Sequence, residues 1–142
     1  LGADNTVLYP EASVESYVEK YTGGRGFDIV FDTVGGENIG KCIEAVAHLG
    51  TIATIVARSE QDLSAMHAKG ATLHCVLMLL PLVLDRCREH HGEILRRLGR
   101  MINNGQIKPL LDEEIFELEN AAGAHAKLQS GEHIGKIRIK IT

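Results

Sequence analysis

Several features that mark specialised protein classes are scarce or missing in this sequence. It has no tryptophan, three prolines and three cysteines, and its 15 Lys+Arg do not exceed its 19 Asp+Glu. Without a basic excess, nucleic acid is not expected as a partner. Cys42, Cys75 and Cys87 are an odd number with no Cys-x-x-Cys pair. We therefore expect reduced thiols and a cytoplasmic location, and no disulfide framework.

Long hydrophobic runs are also missing. The longest, Leu73 to Leu84, has 12 residues and includes a histidine and a proline. A membrane-spanning helix needs about 20 apolar residues, so we expect no membrane partner and assign this run to a protein core. The 142 residues, 44% hydrophobic and 24% charged, have the composition of one ordinary globular domain.

The first half of the chain alternates between strand-like and helix-like segments. The pattern predicts strands at 6–9, 27–32, 51–56 and 72–77, separated by helices at 13–21, 38–49 and 62–69. Apolar strands joined by amphipathic helices favour crossover connections and parallel pairing. We therefore predict the α/β class, with a doubly wound parallel sheet covered on both faces.

The second half begins with the longest predicted helix, which runs from Pro81 to about Asn104 and has one apolar and one charged face. The pattern then gives short strands at 107–111, 115–118 and 136–141, and a small helix at 119–129. His125 falls on the apolar face of that small helix, which favours a core histidine. We predict a boundary near residue 106 and an α+β tail that belongs to another layer or domain.

Two loops follow the carboxyl ends of neighbouring predicted strands, where ligands of doubly wound sheets bind. The first, Val34 to Asn38, contains Gly35 and Gly36, which would let a ligand approach the backbone. The competing explanation is a turn that needs glycine only for its own geometry. The second, Ile55 to Arg58, places a small residue and a cation at the same edge, although an exposed surface loop would look the same.

Other candidate motifs favour plain structural explanations. The glycines of Thr22 to Gly26 precede a strand, which is the wrong end of the sheet for binding a phosphate. Cys87 and His91 are four positions apart and could share a helix face. Zinc needs three or four ligands, and no other converging set is visible, so we expect no metal site.

A series of short motifs resembles the cofactor domain of medium-chain dehydrogenase/reductases. In chain order they are Leu1-Gly2-Ala3-Asp4, Thr22-Gly23-Gly24, Phe27 to Gly36, Gly50-Thr51-Ile52, Gly105 to Pro109, Ala124-His125 and Gly135-Lys136-Ile137. The resemblance covers essentially the whole chain. It points to the quinone-oxidoreductase-like branch of this superfamily, which also contains the zinc-binding alcohol dehydrogenases.

The resemblance implies a nicotinamide-dependent oxidoreductase that transfers hydride between its cofactor and a small quinone, enone, carbonyl or alcohol substrate. NADP(H) is the usual cofactor of this branch, with NAD possible, and no zinc is expected in this chain. The implied fold is a partial Rossmann domain in residues 1–106, containing strands 3 to 6 of the order 3-2-1-4-5-6. Residues 107–142 would return to the GroES-like catalytic domain. Family members commonly form homodimers through the strand near 72–79.

Cofactor contacts of the family carry over to eleven positions of this sequence. Tyr9, Val34 and Asn38 match positions at the adenosine end. The positions that match the nicotinamide half are Ile55, Val56, Ala57, Arg58, Val76, Leu77 and Met78. His133 matches a polar cofactor contact, although histidine is not the usual residue there.

The sequence departs from the family in what it does not contain. The glycine-rich phosphate turn, strands 1 and 2 and the amino-terminal catalytic domain would all precede Leu1, and no catalytic residue is assigned here. We therefore expect a truncated oxidoreductase that is inactive alone, and that is marginally stable or associates through the open edge of strand 27–32. The alternatives are a non-catalytic dimerisation module and another nucleotide-binding α/β domain, such as a methyltransferase.

Overall fold

The computed structural model describes residues 2–141, which divide into two compact units. The first is Gly2–Arg86 and the second begins at Cys87. This division precedes the predicted boundary near 106, because the long predicted helix is interrupted. Asp85 and Cys87 both have positive φ, at 50° and 57°, which is incompatible with a continuous right-handed helix. The assignment of 107–142 to a catalytic domain stays a prediction.

The first unit alternates helices and strands along the chain. Its elements are α1 (Val14–Thr22), β1 (Phe27–Asp32), α2 (Asn38–Ala45), β2 (Val46–Thr54), α3 (Ser64–Lys69), β3 (Thr72–Cys75) and α4 (Leu80–Val83). The Ser13 side chain caps the start of α1 by accepting a hydrogen bond from the Ser16 amide, and Gly23 ends the helix in the left-handed conformation. Local capping chemistry thus sets both ends of α1.

The three strands form one parallel sheet in the order β1-β2-β3, which confirms the predicted fold class. The predicted strand at 6–9 is wrong, because this segment is irregular. A strand requires a hydrogen-bonded neighbour. In the order 3-2-1-4-5-6 this segment would be strand 3 and would pair with strand 2 of the family fold, which residues 2–141 do not contain. The described sheet therefore corresponds to the last three strands of the predicted four.

One face of the sheet carries the main hydrophobic core. Its buried residues are Ile39, Cys42, Ile43, Val46 and Ile52, with Val30, Met66, Ala71 and Leu73 packed around them. Side chains alternate along β1, so Ile29 and Phe31 point to the opposite face. They are 74% and 66% exposed. The expected cover on both faces is therefore not present within residues 2–141.

The second helix ends earlier than the sequence pattern predicts, at Ala45 and not near residue 49. The Lys69 ammonium group donates hydrogen bonds to the carbonyls of Ile43, Glu44 and Val46, at 2.9, 2.7 and 2.8 Å. These are carbonyls that a helix end leaves without partners. A lysine from α3 therefore caps α2, and the chain passes directly into β2.

The second unit contains α5 (Arg88–Asn103), β4 (Leu111–Glu117), a short 3₁₀ turn (Leu118–Asn120), α6 (Ala121–Ser130) and β5 (Lys136–Lys140). β4 and β5 pair in parallel. Two predicted strands at 107–111 and 115–118 are replaced by the single strand β4. His125 is exposed and is not a core histidine, because α6 buries only Ala124. A two-stranded sheet offers too little surface to cover more of the helix.

A buried carboxylate organises this second unit. Asp112 is 5% exposed and accepts hydrogen bonds from Lys127 Nζ at 2.6 Å and from the Ile134 amide at 3.0 Å. The Lys127 hydrogen bond is the main cause that lowers the pKa of Asp112. The Arg138 guanidinium donates to the Asp112 carbonyl at 2.8 Å. One aspartate thus connects β4, α6, β5 and the loop before β5.

None of the helices within residues 2–141 combines the length and the apolar character needed to cross a membrane.

Candidate functional site

The carboxyl ends of the three parallel strands lie side by side. The Ile55 amide donates to the Asp32 carbonyl at 3.2 Å, and the Val76 amide donates to the Thr54 carbonyl at 2.9 Å. The segments after β1, β2 and β3 therefore leave the sheet at one edge, which is where parallel α/β sheets bind ligands. This arrangement brings together the predicted positions of three separate segments.

The Asp32 carboxylate lies at the centre of this edge. Oδ1 accepts hydrogen bonds from the amides of Val34 and Gly35, both at 3.1 Å, and Oδ2 also accepts from Gly35 at 3.1 Å. The side-chain amide of Asn38 donates to Oδ1 at 2.8 Å. The glycine turn after β1 is therefore folded around a carboxylate that belongs to the same strand.

Thr54, at the end of β2, extends this network to the next loop. Its hydroxyl donates to Asp32 Oδ2 at 2.7 Å and accepts a hydrogen bond from the Val56 amide at 3.2 Å. Thr54 is fully buried and Asp32 is 2% exposed. A buried hydrogen bond to an ionised group is among the stronger ones in proteins. The loops after β1 and β2 are thus held by one continuous network.

The two loops also touch directly. A Cβ placed on Gly35 would lie 2.1 Å from the Val56 carbonyl oxygen, and Gly35 has a φ of +73°. Both the space and the backbone conformation therefore require glycine here. Gly36 has a φ of +58°, but a Cβ there would meet nothing within 4 Å. Of the two glycines, only Gly35 is fixed by contact between the loops.

Two opposing effects set the pKa of Asp32. Burial raises the pKa, but hydrogen bonds from the Gly35 amide, Thr54, Asn38 and the Val34 amide outweigh it, so the pKa lies below its ordinary value of 3.8. Asp32 is therefore an ionised group at neutral pH. The site contains a fixed negative charge whose partners are all dipoles of the protein.

The side chains at this edge are mainly apolar and accessible. Val34, Ile55 and Val56 are 70%, 45% and 40% exposed, and Ala57 and Arg58 are also exposed. Val76, Leu77 and Met78 follow β3 and are exposed. Asn38 is different, because its side-chain nitrogen is occupied by Asp32. The available surface suits a flat, uncharged ring system more than a phosphate, since the Val34, Gly35 and Val56 amides already have acceptors.

Two of the predicted contacts lie elsewhere in the chain. Tyr9 is in the irregular segment before α1 and is 78% exposed, outside the network around Asp32. His133 belongs to the second unit, between α6 and β5. Its Nδ1 atom is buried and has no hydrogen-bond partner among residues 2–141. The contacts expected of both residues stay predictions.

Sequence reasoning missed Asp32 and Thr54 as the residues that organise the site. A signal was available for Asp32, which is the last residue of the predicted strand 27–32, but not for Thr54, which lies inside the predicted strand 51–56. In the described part of the chain, no three His, Cys, Asp or Glu side chains lie close enough together to hold a metal ion. Cys87 is the N-cap residue of α5 and has a positive φ. It therefore lies outside the helix face that carries His91.

Comparison with known proteins gives a consistent family match. Residues 1–138 match the family model described as zinc-binding dehydrogenase. Over 130 residues the chain is 29% identical to a highly reducing polyketide synthase of Aspergillus terreus, a match that covers 89% of this chain and 5% of the synthase.

Solved structures agree with the sequence matches. An alcohol dehydrogenase superfamily protein from Novosphingobium aromaticivorans superposes with a TM-score of 0.82 at 26% identity, covering 92% of this chain and 41% of that protein. The CurF ER cyclopropanase from the curacin A biosynthetic pathway gives a TM-score of 0.73 at 26% identity, covering 90% and 38%. The chain thus spans about two-fifths of these solved relatives and a much smaller part of the synthase.

Proposed function

This chain belongs to the zinc-binding dehydrogenase family, and from that membership we propose that it supplies part of the cofactor site of an NAD(P)H-dependent oxidoreductase. The nicotinamide cofactor would supply the hydride. The residues of this chain would bind and orient the cofactor. The family match sets aside the methyltransferase alternative.

The proposed substrates are small carbonyl compounds, enones, quinones or alcohols. Support comes from the relatives, which include alcohol dehydrogenases, a mycobacterial quinone oxidoreductase and an ER cyclopropanase. NADP(H) is the proposed cofactor. NAD is the second candidate, because one solved relative at 26% identity is an NAD-dependent alcohol dehydrogenase.

The observation that carries the proposal is the pair of loops locked together at the carboxyl ends of β1 and β2. Their exposed residues Val34, Ile55 and Val56 would pack against the rings of the cofactor. Arg58 follows in the same loop and supplies a cation for its negatively charged part. Asn38 would contribute its remaining amide oxygen.

The proposed contact can be tested on the native full-length polypeptide by calorimetric titration with NADPH and with NADH. Ile55→Asp places a charge on the proposed ring-binding surface, and we expect affinity to fall by about tenfold or more, as for a lost buried contact. Leu49→Asp is the matched control, because Leu49 is 83% exposed and lies in β2, the strand that precedes Ile55, away from its carboxyl end. Equal affinities for the two variants would contradict the proposal.

We further propose that the 142 residues alone are inactive and bind the cofactor weakly. The support is the exposed edge and face of β1, together with the small share of each relative that the chain spans. A thermal melt and an NADPH titration of this chain test the proposal. A monomer that melts in one cooperative transition and binds NADPH at micromolar concentration would contradict it.

We also propose that residues 107–142 belong to a GroES-like domain. A separate proposal is that the protein forms a homodimer through the segment near 72–79. β3 is the second edge strand of the sheet, and Leu77, Met78 and Leu79 after it are exposed. The Val76 amide points to β2, so the Cys75 amide points to the free edge, and Cys75→Pro removes a backbone donor from that edge; sedimentation should then show a weaker dimer. The free thiols of all three cysteines support a reducing compartment such as the cytoplasm.

A further inference from the structure

Backbone amides at the carboxyl end of a parallel sheet commonly serve as anion donors. In this chain the amides of Val34 and Gly35 point to the Asp32 carboxylate, and the Val56 amide points to the Thr54 hydroxyl. The Asn38 amide donates to the Gly35 carbonyl at 3.1 Å. The protein's own carboxylate thus takes the place that a bound anion could occupy.

The geometry leaves little freedom for these groups to turn outward. Thr54 is fully buried, Asp32 is 2% exposed, and the Gly35 backbone lies against the Val56 carbonyl. A displaced amide would leave a buried carboxylate with fewer partners, which is costly. The backbone of both loops is therefore ordered before any ligand arrives.

We infer that Asp32 and Thr54 are positioning residues that preorganise both loops for the nucleoside ends of the cofactor and keep their amides from binding phosphate. The inference rests on the proposed function. Asp32 does not touch the cofactor. It acts through the Gly35 turn and through Thr54, which fixes the Val56 backbone and so the direction of the exposed Ile55 and Val56 side chains.

A matched pair of variants tests the inference in the native full-length polypeptide. Thr54→Val keeps the shape of the side chain but removes the hydroxyl, whereas Thr54→Ser keeps the hydroxyl. We expect Thr54→Val to raise the Kd for NAD(P)H by about tenfold and Thr54→Ser by less than about twofold, because only the valine variant loses the charge-assisted hydrogen bond. Circular dichroism establishes that both variants are folded, and calorimetry measures both affinities.

A second measurement separates the charge of Asp32 from its volume. Asp32→Ala opens a space next to three amide donors, and formate is a carboxylate small enough to enter it. Cofactor affinity lost in Asp32→Ala should return in formate and not in chloride at the same ionic strength. Failure of formate to restore affinity to a folded Asp32→Ala protein would overturn the role of the charge. If Asp32→Ala does not fold, the Thr54 pair decides alone.

The outcomes also separate this inference from the proposed function. If the unaltered polypeptide binds neither NADPH nor NADH, the proposed function fails. If it binds one of them, and Thr54→Val and Thr54→Ser bind equally well, the positioning role is overturned while the proposed function stands.

Discussion

The hydroxyl of Thr54 lies 2.7 Å from Oδ2 of Asp32, joining two residues that are 22 positions apart and that end adjacent parallel strands. The contact is internal to the protein, and both residues are buried. It orders the two loops that carry the exposed Val34, Ile55 and Val56 side chains of the proposed cofactor site. The order of these two loops is therefore a property of the fold.

The lowered pKa of Asp32 makes stability depend on pH. A carboxyl group with a lower pKa in the folded state stabilises the protein above its unfolded pKa, which is near 3.8, and this contribution is lost as the pH falls through the folded value. Asp32→Asn should therefore be less stable than the unaltered protein at pH 7. The difference should shrink below about pH 3.8, as expected from linkage. Urea unfolding from pH 7 to pH 3 measures this, and a constant difference would contradict it.

Gly35 and Gly36 should respond differently to alanine. In Gly35→Ala the new Cβ would lie 2.1 Å from the Val56 carbonyl oxygen, so the loops must separate. We expect a loss of about 3 kcal/mol in the free energy of unfolding, as for overpacking combined with strain. Gly36→Ala has open space and should lose only about 1 kcal/mol, the cost of its positive φ. Denaturant unfolding of both variants compares these values, and equal losses would show that the loop contact does not matter.

Lys69 should stabilise the first unit by capping α2. Lys69→Met keeps the length of the side chain but removes hydrogen bonds to three carbonyls. We expect a loss of about 1–3 kcal/mol in the free energy of unfolding, because two of these hydrogen bonds, to Ile43 and Val46, are part-buried. Lys41→Met is the control, since Lys41 is an exposed lysine on α2, and should change stability by less than about 0.5 kcal/mol. A similar effect of both substitutions would refute the capping role.

The uncovered face of β1 should govern association of the 142-residue chain. Ile29 and Phe31 are mostly exposed on an edge strand that carries no proline or lysine. Unprotected apolar edge strands promote pairing between chains. Phe31→Lys should shift sedimentation towards the monomer, whereas Leu49→Lys, at an exposed position outside β1, should not. Association that is unchanged in Phe31→Lys would place the contact elsewhere.

Much of the fold follows from local sequence patterns. The predicted elements that differ from the structure do so for physical reasons. Strand 27–32 is predicted at its observed bounds, because its residues are strong strand formers between glycines. Segment 6–9 has a similar composition but lacks a neighbouring strand in the described residues. The long helix after Pro81 is interrupted because Asp85 and Cys87 adopt left-handed conformations. The hydrophobic pattern carries no information about that backbone change.

The site is predictable only in part for a related reason. The loops at Val34 and Ile55 follow from strand order, because parallel strands end at one edge. The bond between Asp32 and Thr54 depends on the register of β1 against β2, where these two residues are direct partners. Register is a tertiary property, and the residue pattern of either strand alone does not define it.

The three hydrogen bonds of the Lys69 ammonium group offer a way to measure local opening of the protein. An ammonium group whose three N–H bonds all donate to carbonyls has no free lone pair, so it should react slowly until the end of α2 releases it. Acylating reagents should therefore label surface lysines such as Lys41 quickly and Lys69 only when this region opens. The rate at which Lys69 becomes labelled, read by mass spectrometry, would then report the local opening of the first unit in the intact protein.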